Sequence, residues 1–183
     1  MSAAVELIAE HGWGAVTTRM VADRAALRPG LVHYHFASVA DLLVDASLAA
    51  ARDMVQQVIA AATAESGRDG LAQMLDSAAA VDSADPATTA FSEMLLAATR
   101  NARLRSGLAE LIVDCRAAVA DWLRRENADV VDPEASATLL LAALDGLILH
   151  ALIDPTVRSL DVAHALRRLA GLANPDDHGG TRT

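Results

Sequence analysis

An all-α fold is what three features of this 183-residue sequence predict. Hydrophobic residues make up 53% of it, and Ala and Leu, which give up little side-chain freedom in a helix, dominate them. Aromatic residues amount to 3%, so the β-branched and aromatic runs that build strands are scarce. Apolar stretches also recur between helix start and stop signals made by Ser, Thr, Asp, Pro and Gly. A chain of this length forms one domain with a real core, or a small module joined to a larger one.

The first apolar run, Ala3 to Ala9, stops at "HGWG", where Gly12 suits the positive-φ position that closes a helix. "VTTRMVADRA" restarts a helix with Thr17 or Thr18 as N-cap; Thr18, Val21, Ala22 and Ala25 share one side, and Met20, Asp23 and Arg24 the other. After "ALRPG", Pro29 fits the first position of a brief helix ending near Phe36. Ser38 and Asp41 have capping-box spacing and open a long Leu/Ala helix to about Ala64. Asp69 caps a helix over about 70–80, Asp85 with Pro86 opens another to about Arg100, and "RLRSGLAELIVDCRAAVADWLRREN" is a long amphipathic helix. Asp132 and Pro133 open the most hydrophobic helix, which Asp154 and Pro155 end. A last helix, capped by Ser159, runs to about Ala173, and 174–183, "NPDDHGGTRT", reads as a disordered tail. About nine helices result.

The net charge is −9, and all 15 basic residues are Arg. That acidity argues against non-specific nucleic-acid binding by the whole chain and leaves the question to a local patch. The single Cys115 forms no internal disulfide and no secretory segment is evident, so a cytoplasmic location is expected. "ASATLLLAALDGLILHALI" is interrupted by Asp145 and His150 and reads as a helix buried in protein, with no membrane partner. No nucleophile with its base, phosphate loop or metal cluster is visible, so neither an enzyme nor a cofactor is predicted. His33 and His35 diverge by about 200° on a helix, which does not suit a shared metal.

On a wheel of about 100° per residue, Val32 and Phe36 fall together and face inward. Gly30, Leu31 and Tyr34, flanked by His33 and His35, then face outward. Two short helices joined by a tight turn, the second carrying rings and hydrogen-bonding groups outward, are what a helix-turn-helix needs: one crosses the DNA backbone and the other enters the major groove. The organisation predicted is a three-helix helix-turn-helix DNA-binding domain over 1–45 and a larger helical bundle domain over 46–173.

"EHGWGAVTTRMVADRAALRPGLVHYHFASVADLL" resembles the N-terminal domain of the TetR family of bacterial repressors. That family's pattern reads helix, "G…TT", "IA…AGVS…", "LYYHF", "SKEEL". Its counterparts here are Gly14, Thr17 and Thr18, Val21 and Ala22, Ala25 to Leu27, "VHYHF" and "SVADL". The match covers about the first 45 residues in detail; beyond them it extends to helix number and lengths. The resemblance implies that Thr17 and Thr18 cap the second helix and reach phosphate, and that Arg19 takes a guanine edge or a phosphate. It places Arg28, Leu31, His33 and Tyr34 toward the groove and His35 and Ser38 against the backbone, where the fourth helix offers N–H groups to a phosphate. Val39 stands where the family usually has a phosphate-binding Lys, His33 where it usually has Tyr, and Met1 falls almost inside the first helix, ahead of which the family normally has a basic stretch. Residues 1–45 hold three Arg (Arg19, Arg24, Arg28) against five acids (Glu6, Glu10, Asp23, Asp41, Asp45).

The helix over 133–153 is apolar nearly all round and has to be covered on more than one side. With the helix over 159–173 it resembles the family's dimerisation pair, which implies a homodimer and a palindromic operator. For a ligand, Met54, Met74, Met94, Leu95 and Trp122 are the candidate apolar lining and Arg116, Asp145 and His150 the polar handles, although residues of these kinds are more often simple core. Arg100, Arg103 and Arg105 could meet an acidic ligand, brace the DNA-binding domain or simply be solvated. The function expected is a TetR-type transcriptional regulator, a repressor released by a small, mostly apolar effector. The alternative is a small-molecule-binding or interaction protein of the same fold with weakened or lost DNA binding.

Overall fold

A computed structural model describes residues 1–64, 86–126 and 130–169 of the chain. Among them every regular element is helical: α1 (Ser2–His11), a 3-10 turn (Trp13–Ala15), α2 (Thr18–Arg24), α3 (Pro29–His35), α4 (Val39–Ala64), α5 (Pro86–Ala98), α6 (Ala102–Glu126), α7 (Pro133–Ile153), a second 3-10 turn (Pro155–Ser159) and α8 (Val162–Leu169). The helix expected over 70–80, the end of the last helix and the tail over 174–183 lie outside the described residues.

The start and stop signals act where they were read. Gly12 takes φ +79° after α1, and its N–H returns to the Ile8 carbonyl. The Thr17 hydroxyl oxygen accepts from the Met20 N–H at 3.3 Å, a cap worth about 1 kcal/mol. Pro29 and Pro133 open α3 and α7, and Asp132 accepts from the Ala135 N–H at 3.0 Å. Ser38 accepts from the Asp41 N–H at 3.1 Å.

Three details differ from the sequence reading. Asp161, not Ser159, caps the last helix, accepting from the His164 N–H at 3.1 Å; the Ser159 hydroxyl donates instead to the Thr156 carbonyl inside the preceding 3-10 turn. Met20 folds back onto the core while Ala25 is exposed, because α2 ends at Arg24. Ala26 carries the turn between α2 and α3 at φ 54°, a left-handed conformation that costs a non-glycine residue about 1 kcal/mol.

The chain divides into two compact units, Met1–Gln57 with Asp82–Cys115, and Val58–Val81 with Arg116–Thr183. In the first unit, Leu7 and Ile8 of α1, Val21 and Ala22 of α2, Val32 of α3 and Leu42 and Leu43 of α4 close one core together with Ala90 of α5. Removing a side chain such as Ile8 or Leu43 from water contributes roughly 1.5–3 kcal/mol. A second cluster in that unit joins Val44 and Ala51 of α4, Met94 and Ala98 of α5 and Leu104 and Leu108 of α6. Gly107 lets α6 approach α4: a Cβ there would stand 2.6 Å from the Leu48 Cδ2.

In the second unit, Val119, Trp122 and Leu123 of α6 pack with Ala137 and Leu140 of α7 and Leu166 of α8. Within α7 only Ala137, Leu140 and Ala151 are buried. Leu139 is 71% and Ile153 83% exposed, so much of the apolar surface of this helix is left uncovered. By length and composition it is also apolar enough to cross a membrane.

Candidate nucleic-acid interface

Val32 orients α3. It is buried against the core while Phe36 packs beside it, and this turns Leu31, His33, Tyr34 and His35 to the exposed side of the helix. Tyr34 is 82% exposed, an extreme value for so large a ring, and its neighbour His35 meets it edge-on with ring centroids 5.1 Å apart. The outward face read from the wheel is therefore the face displayed.

Around it, Thr17 and Arg19 are exposed at the start of α2, with Thr18 half-buried. Arg28 is exposed at the N-cap of α3 and pairs with no carboxylate among the described residues. Ser38 is exposed, but its hydroxyl is engaged: it accepts from the Asp41 N–H and donates to Asp41 Oδ2 at 2.7 Å. What α4 still offers an anion is the remaining first-turn backbone N–H groups, those of Val39 and Ala40, which have no intrahelical partner. Val39, where a basic residue would strengthen that end, packs against the core instead.

The charge balance is resolved by pairing. Arg24 of α2 donates to Glu10 of α1 at 2.9 and 2.5 Å and to Glu6 at 3.2 Å. Hydrogen bonding to Arg24 holds the Glu10 carboxyl below its ordinary value. Arg19 lies 3.7 Å from Asp23 one turn away. Asp41 and Asp45 are met by Arg103 of α6. All five acids of residues 1–45 thus face an Arg. A second long-range tie binds the same region: Glu93 of α5 accepts from the Trp13 N–H at 2.9 Å. No local pattern could have revealed Arg103 or Glu93, because their partners stand 58 to 80 positions away.

The proposed ligand residues fall in both units. Met54 is exposed on α4, and Met94 with Leu95 belongs to the second cluster of the first unit. Trp122 is fully buried in the second unit, and its indole N–H has no partner among the described residues. Leaving such a donor unsatisfied costs about 1–3 kcal/mol. Asp145 is half-buried on α7, and burial pushes its carboxyl up. Arg116 is half-buried and His150 exposed, while Met74 lies outside the described residues.

An all-α architecture whose N-terminal helices display a helix-turn-helix is one that DNA-binding transcriptional regulators use. Residues 1–46 match the family described as "Bacterial regulatory proteins, tetR family", and residues 62–172 match "Tetracyclin repressor-like, C-terminal domain". The chain belongs to the TetR family. Similar solved structures include Salmonella enterica GusR (21% identity, 93% of this chain and 91% of that one, TM-score 0.75). A transcriptional regulator from Saccharomonospora viridis in complex with choline is 21% identical over 97% of this chain and 93% of its own (TM-score 0.71). The multidrug binding protein EbrR, complexed with malachite green, is 29% identical over 92% and 94% (TM-score 0.66). No curated protein matches the chain.

Proposed function

We propose that residues 1–45 bind a palindromic operator as one half of a homodimer, and that a small, mostly apolar effector held by residues 46–173 releases it, making the protein a cytoplasmic repressor. The observation that carries the reading is the exposed face of α3. Leu31, His33 and Tyr34 stand on the side opposite the buried Val32, where a recognition helix meets base edges. Arg19 and Arg28 flank them as base or phosphate contacts. Thr17, Thr18, His35 and the α4 start behind Ser38 act as phosphate positioners.

Dimerisation through α7 and α8 is supported by the uncovered apolar surface of α7, where Leu139, Ala142, Ala143 and Ile153 are exposed. An effector is supported by EbrR and the S. viridis regulator, each of which carries a small organic molecule. In this chain the Trp122 N–H, unpartnered among the described residues, is the group that would take an acceptor on that molecule, with Asp145 as a second handle. Release requires that the effector bind one spacing of the two recognition helices better than the other.

The test is a gel-shift series over related duplexes. His33→Ala is expected to change which sequences are preferred, by about 1–3 kcal/mol at the affected base pair, whereas Ser38→Ala weakens all duplexes alike. If neither substitution alters binding, α3 and the α4 start are not the DNA surface. Val39 favours the second reading, a ligand-binding protein of this fold with weakened DNA binding. Affinity measured against salt separates the two, since an operator binder loses affinity steeply as salt rises.

A further inference from the structure

We propose that Arg103 is a positioning residue for operator binding: its guanidinium neutralises Asp41 and Asp45 and thereby makes the start of α4 acceptable to a DNA phosphate. This rests on reading α2 to α4 as the operator surface.

Asp41 is in the first turn of α4, where a carboxylate suits the helix dipole and completes the cap with Ser38. The same carboxylate is a like charge to any phosphate approaching that turn, and Asp45 stands one turn behind it. Inside residues 1–45 no cation answers them. Arg24 is committed to Glu6 and Glu10, Arg19 lies against Asp23, and Arg28 pairs with no carboxylate among the described residues. The answer comes from α6. Arg103 Nη1 lies 3.5 Å from Asp41 Oδ1, and Nη2 donates to Asp45 Oδ1. A continuous chain of contacts therefore runs from Arg103 through Asp41 to Ser38.

The base of Arg103 is held firmly. Asn101 caps α6 by accepting from the Leu104 N–H at 3.0 Å, and Leu104 is fully buried against α4 and α5. The three charged side chains are themselves well exposed, 55% for Arg103, 45% for Asp41 and 36% for Asp45. Exposed pairs of this kind contribute little to folding, so stability does not account for a tie across so long a stretch of chain. DNA, with one charge per about 1.7 Å of axis, is far more sensitive to an unneutralised carboxylate beside it. Any shift of α6 away from α4 would uncover both acids at the phosphate and weaken binding.

The experiment uses the full-length chain and a duplex enriched from random sequence by the wild-type protein, with affinity read by fluorescence anisotropy across a salt series. Arg103→Ala is expected to bind that duplex about tenfold more weakly at about 0.1 M salt, with a Tm change of no more than about 3 °C. Arg103→Lys keeps the charge and should bind nearly as the wild type does. Adding Asp45→Asn to Arg103→Ala should recover most of the loss, because it removes one uncovered charge without touching the cap at Asp41. Unchanged affinity in Arg103→Ala overturns the proposal while leaving operator binding intact. A loss that neither Arg103→Lys nor Asp45→Asn repairs also overturns it, since the effect would then be one of shape and not of charge. If the wild-type chain enriches no duplex, the operator reading itself fails and this proposal falls with it.

Discussion

Helices α3 and α7 are built alike at their starts and differ in what they leave uncovered. Each opens with Pro in its first turn, and each buries only a narrow stripe: Val32 in α3, and Ala137, Leu140 and Ala151 in α7. Besides Leu31, the remaining surface of α3 is chiefly His33, Tyr34 and His35, side chains with donors, acceptors and π-faces. That of α7 includes Leu139, Ala142, Ala143 and Ile153, with nothing to offer a base edge or a phosphate. Exposure by itself says only that a partner is missing. The chemistry of the exposed atoms says which kind: hydrogen-bonding rings answer a DNA groove, and aliphatic surface answers another apolar helix.

Four substitutions bear on this contrast, beginning with the largest effect. Leu139→Arg places a charge in the middle of the exposed apolar face of α7. If that face pairs with its copy, the dimer dissociation constant should rise by about a hundredfold or more in sedimentation experiments, since an unpaired charge buried at an interface costs several kcal/mol. An unaltered dimer would take the interface off α7 and leave the contrast without its second half.

Next in size, Val32→Ala removes the side chain that orients α3 and should lower stability by about 2 kcal/mol in urea unfolding, whereas Tyr34→Ala should change it by less than about 0.5 kcal/mol. Comparable losses for the two would mean that Tyr34 serves the fold and not a partner.

The smallest effect concerns Asp145, the one acid in the middle of α7. Burial raises its folded-state pKa above the unfolded value, so the folded protein favours the protonated carboxyl. The stability this contributes is complete below the unfolded pKa and is lost as pH rises through the folded one. Asp145→Asn should therefore raise Tm modestly near neutral pH, with the gain shrinking toward the ordinary carboxyl value of 3.8. A Tm that falls at neutral pH would instead put the ionised carboxylate in a stabilising pair.

Much of the fold was legible because its signals are local. Thr17, Ser38, Pro29, Asp132 and Pro133 begin helices through groups no more than three residues away. The inward Val32 and outward Tyr34 follow from helical periodicity alone. The same locality explains the failures. Ser159 and Asp161 both have cap chemistry two positions apart, and the 3-10 turn that uses Ser159 decides between them. Met20 falls on the side of the wheel away from Val21 and Ala22, but a short helix at the edge of a core can still lay a flexible thioether back on it.

The sequence by itself determined the order of helices, most of their caps, the helix-turn-helix and the face that α3 displays, since each depends on contacts within about one helical turn. Tertiary structure alone decided how Asp41 and Asp45 are answered. Arg103 reaches Asp41 and Asp45, and Glu93 holds the Trp13 N–H, only because the packing of Leu104, Met94 and Val44 draws α4, α5 and α6 together. Charge pairing depends on distance in space, and a linear sequence carries that distance only for near neighbours.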